Sequence, residues 1–240
     1  MKRAIALIEL IFAIVIIGIT LVSVPNLMRT TAKASNQAIT QESVSNISSY
    51  LDMVMTQFWD ENSTNPKYNN PILKVELGNS SLNEAKDSKG YFLGRRVGSA
   101  ISSPRRYAVD STGVKLTAST TLGEEKNETE VDDIDDFNDK TVSLVNREST
   151  SAQQGDYKDQ TVQITTSINY ISDKPTNANN YNRKYINFDN PFIPANIKTK
   201  STNIKEVTVR LSSINEANES IVLRAFSCNI GSSRLKERKF

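Results

Sequence analysis

From Ala4 to Val24 the sequence AIALIELIFAIVIIGITLVSV is apolar at nearly every position and leaves no polar face. A run of this kind crosses a bilayer, which takes about 20 residues of helix. Beyond Pro25 the pattern thins to Val44, Ile47, Leu51, Val54 and Phe58, whose steps of three and four draw one apolar stripe along a helix. No glycine or proline interrupts Asn26 to Asn65, so a helix is expected from Ile5 to about Trp59. It should bend or break near Gly18 and Pro25 and end at Asn62 to Pro66. At a rise of about 1.5 Å per residue it would extend on the order of 80 Å.

After Pro71 the period changes to two. Thr161 to Ile171 places Val162, Ile164, Thr166, Ile168 and Tyr170 on one face, and Glu206 to Ser212 does the same with Val207, Val209 and Leu211. Ile221 to Ser227 follows, close enough to the preceding run for an antiparallel hairpin through Ser213 to Ser220. Weaker alternation marks Ile72 to Leu77, Tyr91 to Val97, Arg106 to Val109, Val114 to Ala118 and Thr141 to Val145 as further strands. The expected class is α+β: a long N-terminal transmembrane-to-amphipathic helix packed on an antiparallel sheet.

Composition narrows the function. The 240 residues include no histidine, which removes the commonest general base near neutral pH and the commonest metal ligand. One cysteine, Cys228, makes neither an internal disulfide nor a thiolate zinc site, and reads as a small buried hydrophobe. Lys plus Arg at 29 against Asp plus Glu at 27 gives +2, too balanced to signal a nucleic-acid or membrane-surface protein. A non-catalytic domain behind a membrane segment is the expectation.

Glu9 is the one charge in the apolar run. A secretory signal, cut after Ala32-Lys33-Ala34, has no use for it, and a plain anchor only bears its desolvation cost. Ala4, then Ile5-Ala6-Leu7-Ile8-Glu9-Leu10, a long apolar helix with Gly18, and Pro25 resemble the N-terminal signature of type IV pilins and of the pseudopilins of type II secretion and DNA-uptake systems. Ala4 stands where that family usually has Gly, and Ile5 where it usually has Phe. The resemblance implies a leader over residues 1–4, cut between Ala4 and Ile5 by a prepilin peptidase, with methylation of the new amine. It implies a transmembrane and filament-core helix over 5–25 and a periplasmic head over 26–240, amphipathic helix to about 60 and then sheet. Other pilin-like subunits and an inner-membrane assembly platform would be the partners. Four residues separate the new amine of Ile5 from Glu9, near enough to meet within one helix or between neighbouring subunits. The alternatives are a periplasmic binding or enzymatic domain on an uncleaved anchor, and a subunit of a surface type IV pilus.

Other candidates lie in the polar part. Glu124 to Asp139 holds nine acidic residues against one lysine and reads as a solvated loop. Some pseudopilins bind calcium through loop carboxylates, which makes Asp132, Asp133, Asp135, Asp136 and Asp139 the candidate ligands; no glycine is placed for an EF-hand turn, and no other cofactor is expected. Arg95, Arg96, Arg105 and Arg106 near Tyr91, Phe92 and Tyr107, with Arg234, Lys236, Arg238 and Lys239, are candidate contacts to DNA phosphates, or else solvated strand ends and a frayed terminus. Among five Asn-x-Ser/Thr sequences, Asn62, Asn127 and Asn218 have an acidic residue two positions earlier, resembling the bacterial periplasmic glycosylation acceptor.

Overall fold

The computed structural model describes residues 2–63, 71–125, 131–146, 160–176, 181, 184–188, 190–213 and 220–231. Its first element is one helix, α1 (Lys2–Met55), which runs through Gly18 and contains Pro25 without interruption. A break at Gly18 or Pro25 is thus absent: Pro25 lacks a backbone donor, yet the helix continues past it. The chain divides into two compact units, Met1–Asn46 and Ile47–Phe240.

In the second unit the last two turns of α1 bring Ile47 and Val54 into the core, both with no exposed surface, with Tyr50, Leu51 and Met55 packed around them. The helix stops four residues before the expected Trp59. Thr56 and Gln57 donate to carbonyls three residues back, at 3.2 Å each, which tightens the last turn. Phe58 then leaves the helix and makes a parallel bridge with Asp133, where Ile134 N–H donates to the Phe58 carbonyl at 2.9 Å. Phe58 is accordingly 40% exposed and ends the stripe that the spacing extended to it.

The strands are β1 (Glu84–Lys86), β2 (Phe92–Arg96), β3 (Thr141–Asn146), β4 (Gln160–Ile171), β5 (Ile197–Lys198), β6 (Ile204–Ser213) and β7 (Ser220–Cys228). β1 and β2 form a small antiparallel pair. The main sheet has the order β3-β4-β6-β7, all antiparallel, with β5 on β4 at Tyr170 and Ile171, past the end of β3. The expected β6–β7 hairpin is present. Three weaker expectations are corrected: Ile72 to Leu77, Arg106 to Val109 and Val114 to Ala118 make only the isolated bridges Ile72–Tyr107, Lys74–Thr117 and Val109–Lys115.

Register explains the core. Ile164 opposes Leu211 and Val142, Thr166 opposes Val209, and Ile168 opposes Val207. One face of the two central strands is therefore a block of buried aliphatic side chains, joined by Ile134 and Phe137 from the acidic segment. Fully burying each aliphatic side chain contributes roughly 1.5–3 kcal/mol. A smaller cluster of Trp59, Leu73, Ala118 and Tyr170 adjoins it. The architecture is α+β, with one long apolar N-terminal helix and antiparallel sheets.

Candidate functional site

Along α1 every large apolar side chain from Ile8 to Met28 is exposed, Phe12 by 64% and Leu21 by 69%. Glu9 is exposed among them, and the Ala4–Ile5 peptide lies inside the helix. Both hydroxyls of this stretch fold back on the backbone: Thr20 Oγ1 donates to the Ile17 carbonyl at 2.8 Å and Ser23 Oγ to the Ile19 carbonyl at 2.7 Å. Such internal bonds suit a helix surface that meets no water. Among the described residues α1 is the one helix long and apolar enough to cross a membrane. A contiguous apolar surface of this size needs lipid or protein against it.

The second place is buried. Lys205 Nζ donates to the Trp59 carbonyl and to Asp135 Oδ2, each at 2.6 Å, and to Asp60 Oδ2 at 3.1 Å. Lys205, Asp60 and Asp135 expose none of their side-chain surface. The ammonium lies 4.2 Å from the centre of the Trp59 ring and 5.2 Å from that of Tyr170. Tyr170, directly opposite Lys205 in the β4–β6 ladder, donates its hydroxyl to the Ser119 carbonyl at 2.6 Å. Burial, then the charges of Asp135 and Asp60, pushes the Tyr170 phenol far up, so that hydroxyl stays protonated.

The acidic segment wraps this cluster. Asp133 Oδ1 accepts the backbone N–H groups of Asp135 and Asp136, and Asp136 Oδ2 accepts those of Asp132 and Asp133. These bonds cap a 3-10 turn, Asp135–Phe137, and the chain leaves it through Asp139 at φ 58°, a left-handed conformation aspartate tolerates. Asp133, Asp135 and Asp136 are buried, which corrects the solvated-loop reading for this half of the block. The physical reason is the lysine: a cation with no access to water draws carboxylates inward. Burial, then Asp135, pushes the Asp133 carboxyl up to about 8. Asp135 rises to about 7 through burial, opposed by the Lys205 charge.

A second polar network ties the β1–β2 region to the sheet. Asp173 accepts the Asn79 backbone N–H at 2.9 Å and Asn203 Nδ2 at 2.6 Å. Arg96 donates to Asn203 Oδ1 and to the Asn229 carbonyl, and Asn229 brackets Leu73 through its backbone N–H and carbonyl. Gly78 admits Asn203: a Cβ there would sit 2.7 Å from Asn203 Nδ2. Desolvation lowers the Arg96 guanidinium, countered by Tyr107 and Asp173.

The remaining candidates separate. Asp132 is half-buried and Asp139 is exposed, accepting from Asn138 Nδ2 at 3.2 Å; no group of three or more carboxylates or thiols among the described residues is arranged around a common metal position. Arg96 is buried rather than on the surface, and Arg95 and Arg106 donate to the carbonyls of Ser99, Leu93 and Ile101, bracing turns. Arg105 is exposed. Arg234, Lys236, Arg238, Lys239, Asn127 and Asn218 lie outside the described residues. Asn62 Nδ2 donates to the Thr117 carbonyl at 2.8 Å. Cys228 is half-buried, and burial pushes its thiol up, away from the reactive thiolate. Sequence reasoning missed Lys205, although its parity with Val207, Val209 and Leu211 already places it on the inward face. Asp60, one residue past Trp59, carried no such signal.

No family model matches the chain, and neither the curated proteins nor the solved structures contain a match to it.

Proposed function

We propose that the chain is a minor pilin-like subunit, a pseudopilin, of a filament rooted in the bacterial inner membrane, serving type II secretion or DNA uptake through a type IV pilus system. Residues 1–4 are the leader, prepilin peptidase cuts between Ala4 and Ile5, and the head works in the periplasm. The observation that carries this reading is the surface of α1, apolar all round from Ile8 to Met28 with Glu9 its one charge near the start. A plain anchor would be better off without that carboxylate, whereas a cleaved chain gains an amine at Ile5 to pair with it. The antiparallel sheet that receives the last turns of α1 supports a pilin-like head.

In this role the subunit passes from lipid to a bundle of like helices, exchanging apolar contact with acyl chains for contact with side chains. No catalytic step is assigned to it. The test is mass spectrometry of the N-terminus of the protein extracted from membranes. A chain starting at methylated Ile5 is expected. A chain that keeps Met1 makes it a periplasmic domain on an uncleaved anchor, and one starting at Ser35 makes the segment a secretory signal.

A further inference from the structure

Lys205 sets a primary amine against two carboxyl groups in a site where none of the three side chains is exposed. Its two carboxylate neighbours are not equivalent. Asp60 has both oxygens engaged: Oδ2 accepts the Ser119 N–H at 2.9 Å as well as Lys205, and Oδ1 accepts the Asn62 N–H at 3.2 Å. Asp135 is held differently. Its Oδ2 meets only the ammonium, at 2.6 Å, and its Oδ1 is buried and accepts no hydrogen bond. Burial also raises its proton affinity, to about 7. Asp60 thus has both oxygens occupied while Asp135 keeps one oxygen without a hydrogen bond, and the Trp59 and Tyr170 rings lie beside the amine.

We propose that Lys205 and Asp135 condense into an intramolecular isopeptide bond, with Asp60 as the proton acceptor. Nζ passes one proton to Asp60 Oδ2, and its lone pair forms the bond to Cγ of protonated Asp135. The Cγ–OH bond breaks, and the hydroxyl leaves as water with a second proton from Nζ. The products are one amide, one water and a protonated Asp60; no oxidant or activating group is consumed. In bulk water the charged amine and carboxylate resist this condensation. In the dry site the ion pair is itself costly, and a neutral amide relieves the desolvation of both charges. Fixed proximity supplies the rate, since well-oriented intramolecular reactions reach effective molarities of about 10⁵–10⁸ M. The new amide N–H keeps an acceptor in the Trp59 carbonyl, now 2.6 Å from Nζ.

The experiment is intact-mass measurement of the full chain extracted from membranes, followed by proteolysis and peptide sequencing. The expected mass is lower than that of the sequence by one water, and the digest contains a branched peptide joining Lys205 to Asp135. A cleaved and an uncleaved N-terminus differ by the leader rather than by one water, so the bond and the filament reading are measured separately in one spectrum. Lys205→Arg, which keeps the cation but is a far poorer nucleophile, is expected at full mass. A wild-type chain at full mass with two separate linear peptides overturns the proposal. So does a lost water that maps to any other pair of residues, or that persists in the Lys205→Arg variant.

Discussion

Asp133 closes a turn through Oδ1, while its buried Oδ2 accepts no hydrogen bond. Its folded-state proton affinity, pushed up to about 8 by burial and by Asp135, lies far above the roughly 3.9 of an unfolded aspartate. Between those values the folded chain holds a proton that the unfolded chain has released. Stability is therefore full below about pH 4 and is lost as pH rises towards 8, by at most about 1.4 kcal/mol per unit for this group. Asp135 acts in the same sense but is consumed in the proposed bond, so Asp133 is the group to change. Asp133→Asn keeps the Oδ1 acceptor and removes the titration. The variant should match the wild type near pH 4 and exceed it in stability at pH 8. Trp59, the only tryptophan and 3% exposed, reports unfolding by its fluorescence in denaturant. Equal pH dependence in the two proteins would remove Asp133 from this role. At this scale the sequence was least readable: nine acidic residues average to a solvated loop unless the buried cation is known, and that cation sits at the end of its strand's apolar alternation.

Elements whose one face is dry were the readable ones. β4 and β6 alternate because each second residue packs into the core, Ile221 and Leu223 of β7 pack against it two residues apart, and Ile47 and Val54 keep helical spacing for the same reason. β1 escaped notice because Glu84-Ala85-Lys86 is made of residues that favour helix, and its pairing with β2 is a tertiary event. β5 is two residues long, too short for any period. The segments around Ile72, Tyr107 and Lys115 alternate like strands yet form single bridges, since each partner contributes one paired residue before the chain turns away. The central strand can be tested directly. Ile164 has no exposed surface and lies between Val142 and Leu211, so Ile164→Ala should cost about 2–5 kcal/mol. Gln163 points to the other face, between Ser143 and Ser212, and Gln163→Ala should stay within about 0.5 kcal/mol. Denaturant midpoints followed by Trp59 fluorescence separate the two; similar losses would mean that β4 is not buried on one face only.

For the whole molecule, the decisive residue is the carboxylate in the apolar helix. Glu9→Leu removes the only charge between Ala4 and Val24, so membrane insertion should be unchanged or improved. On the proposed filament reading, cleavage should also survive, because Ala4, Ile5 and the basic residues before them are untouched. Assembly should not. In a bundle of apolar helices the Ile5 amine would lose its carboxylate partner, and leaving one member of a buried pair unpaired typically costs about 3–5 kcal/mol. That is enough to exclude a subunit from an ordered array and to release the axial register between neighbours. The variant is to be expressed beside its wild-type partners, comparing processing, membrane content and co-purification with the other pilin-like subunits. Loss of co-purification with normal processing is the expected result. If Glu9→Leu is cleaved and still assembles at wild-type levels, the carboxylate does no more than reach the membrane interface, as long charged side chains do near a helix end.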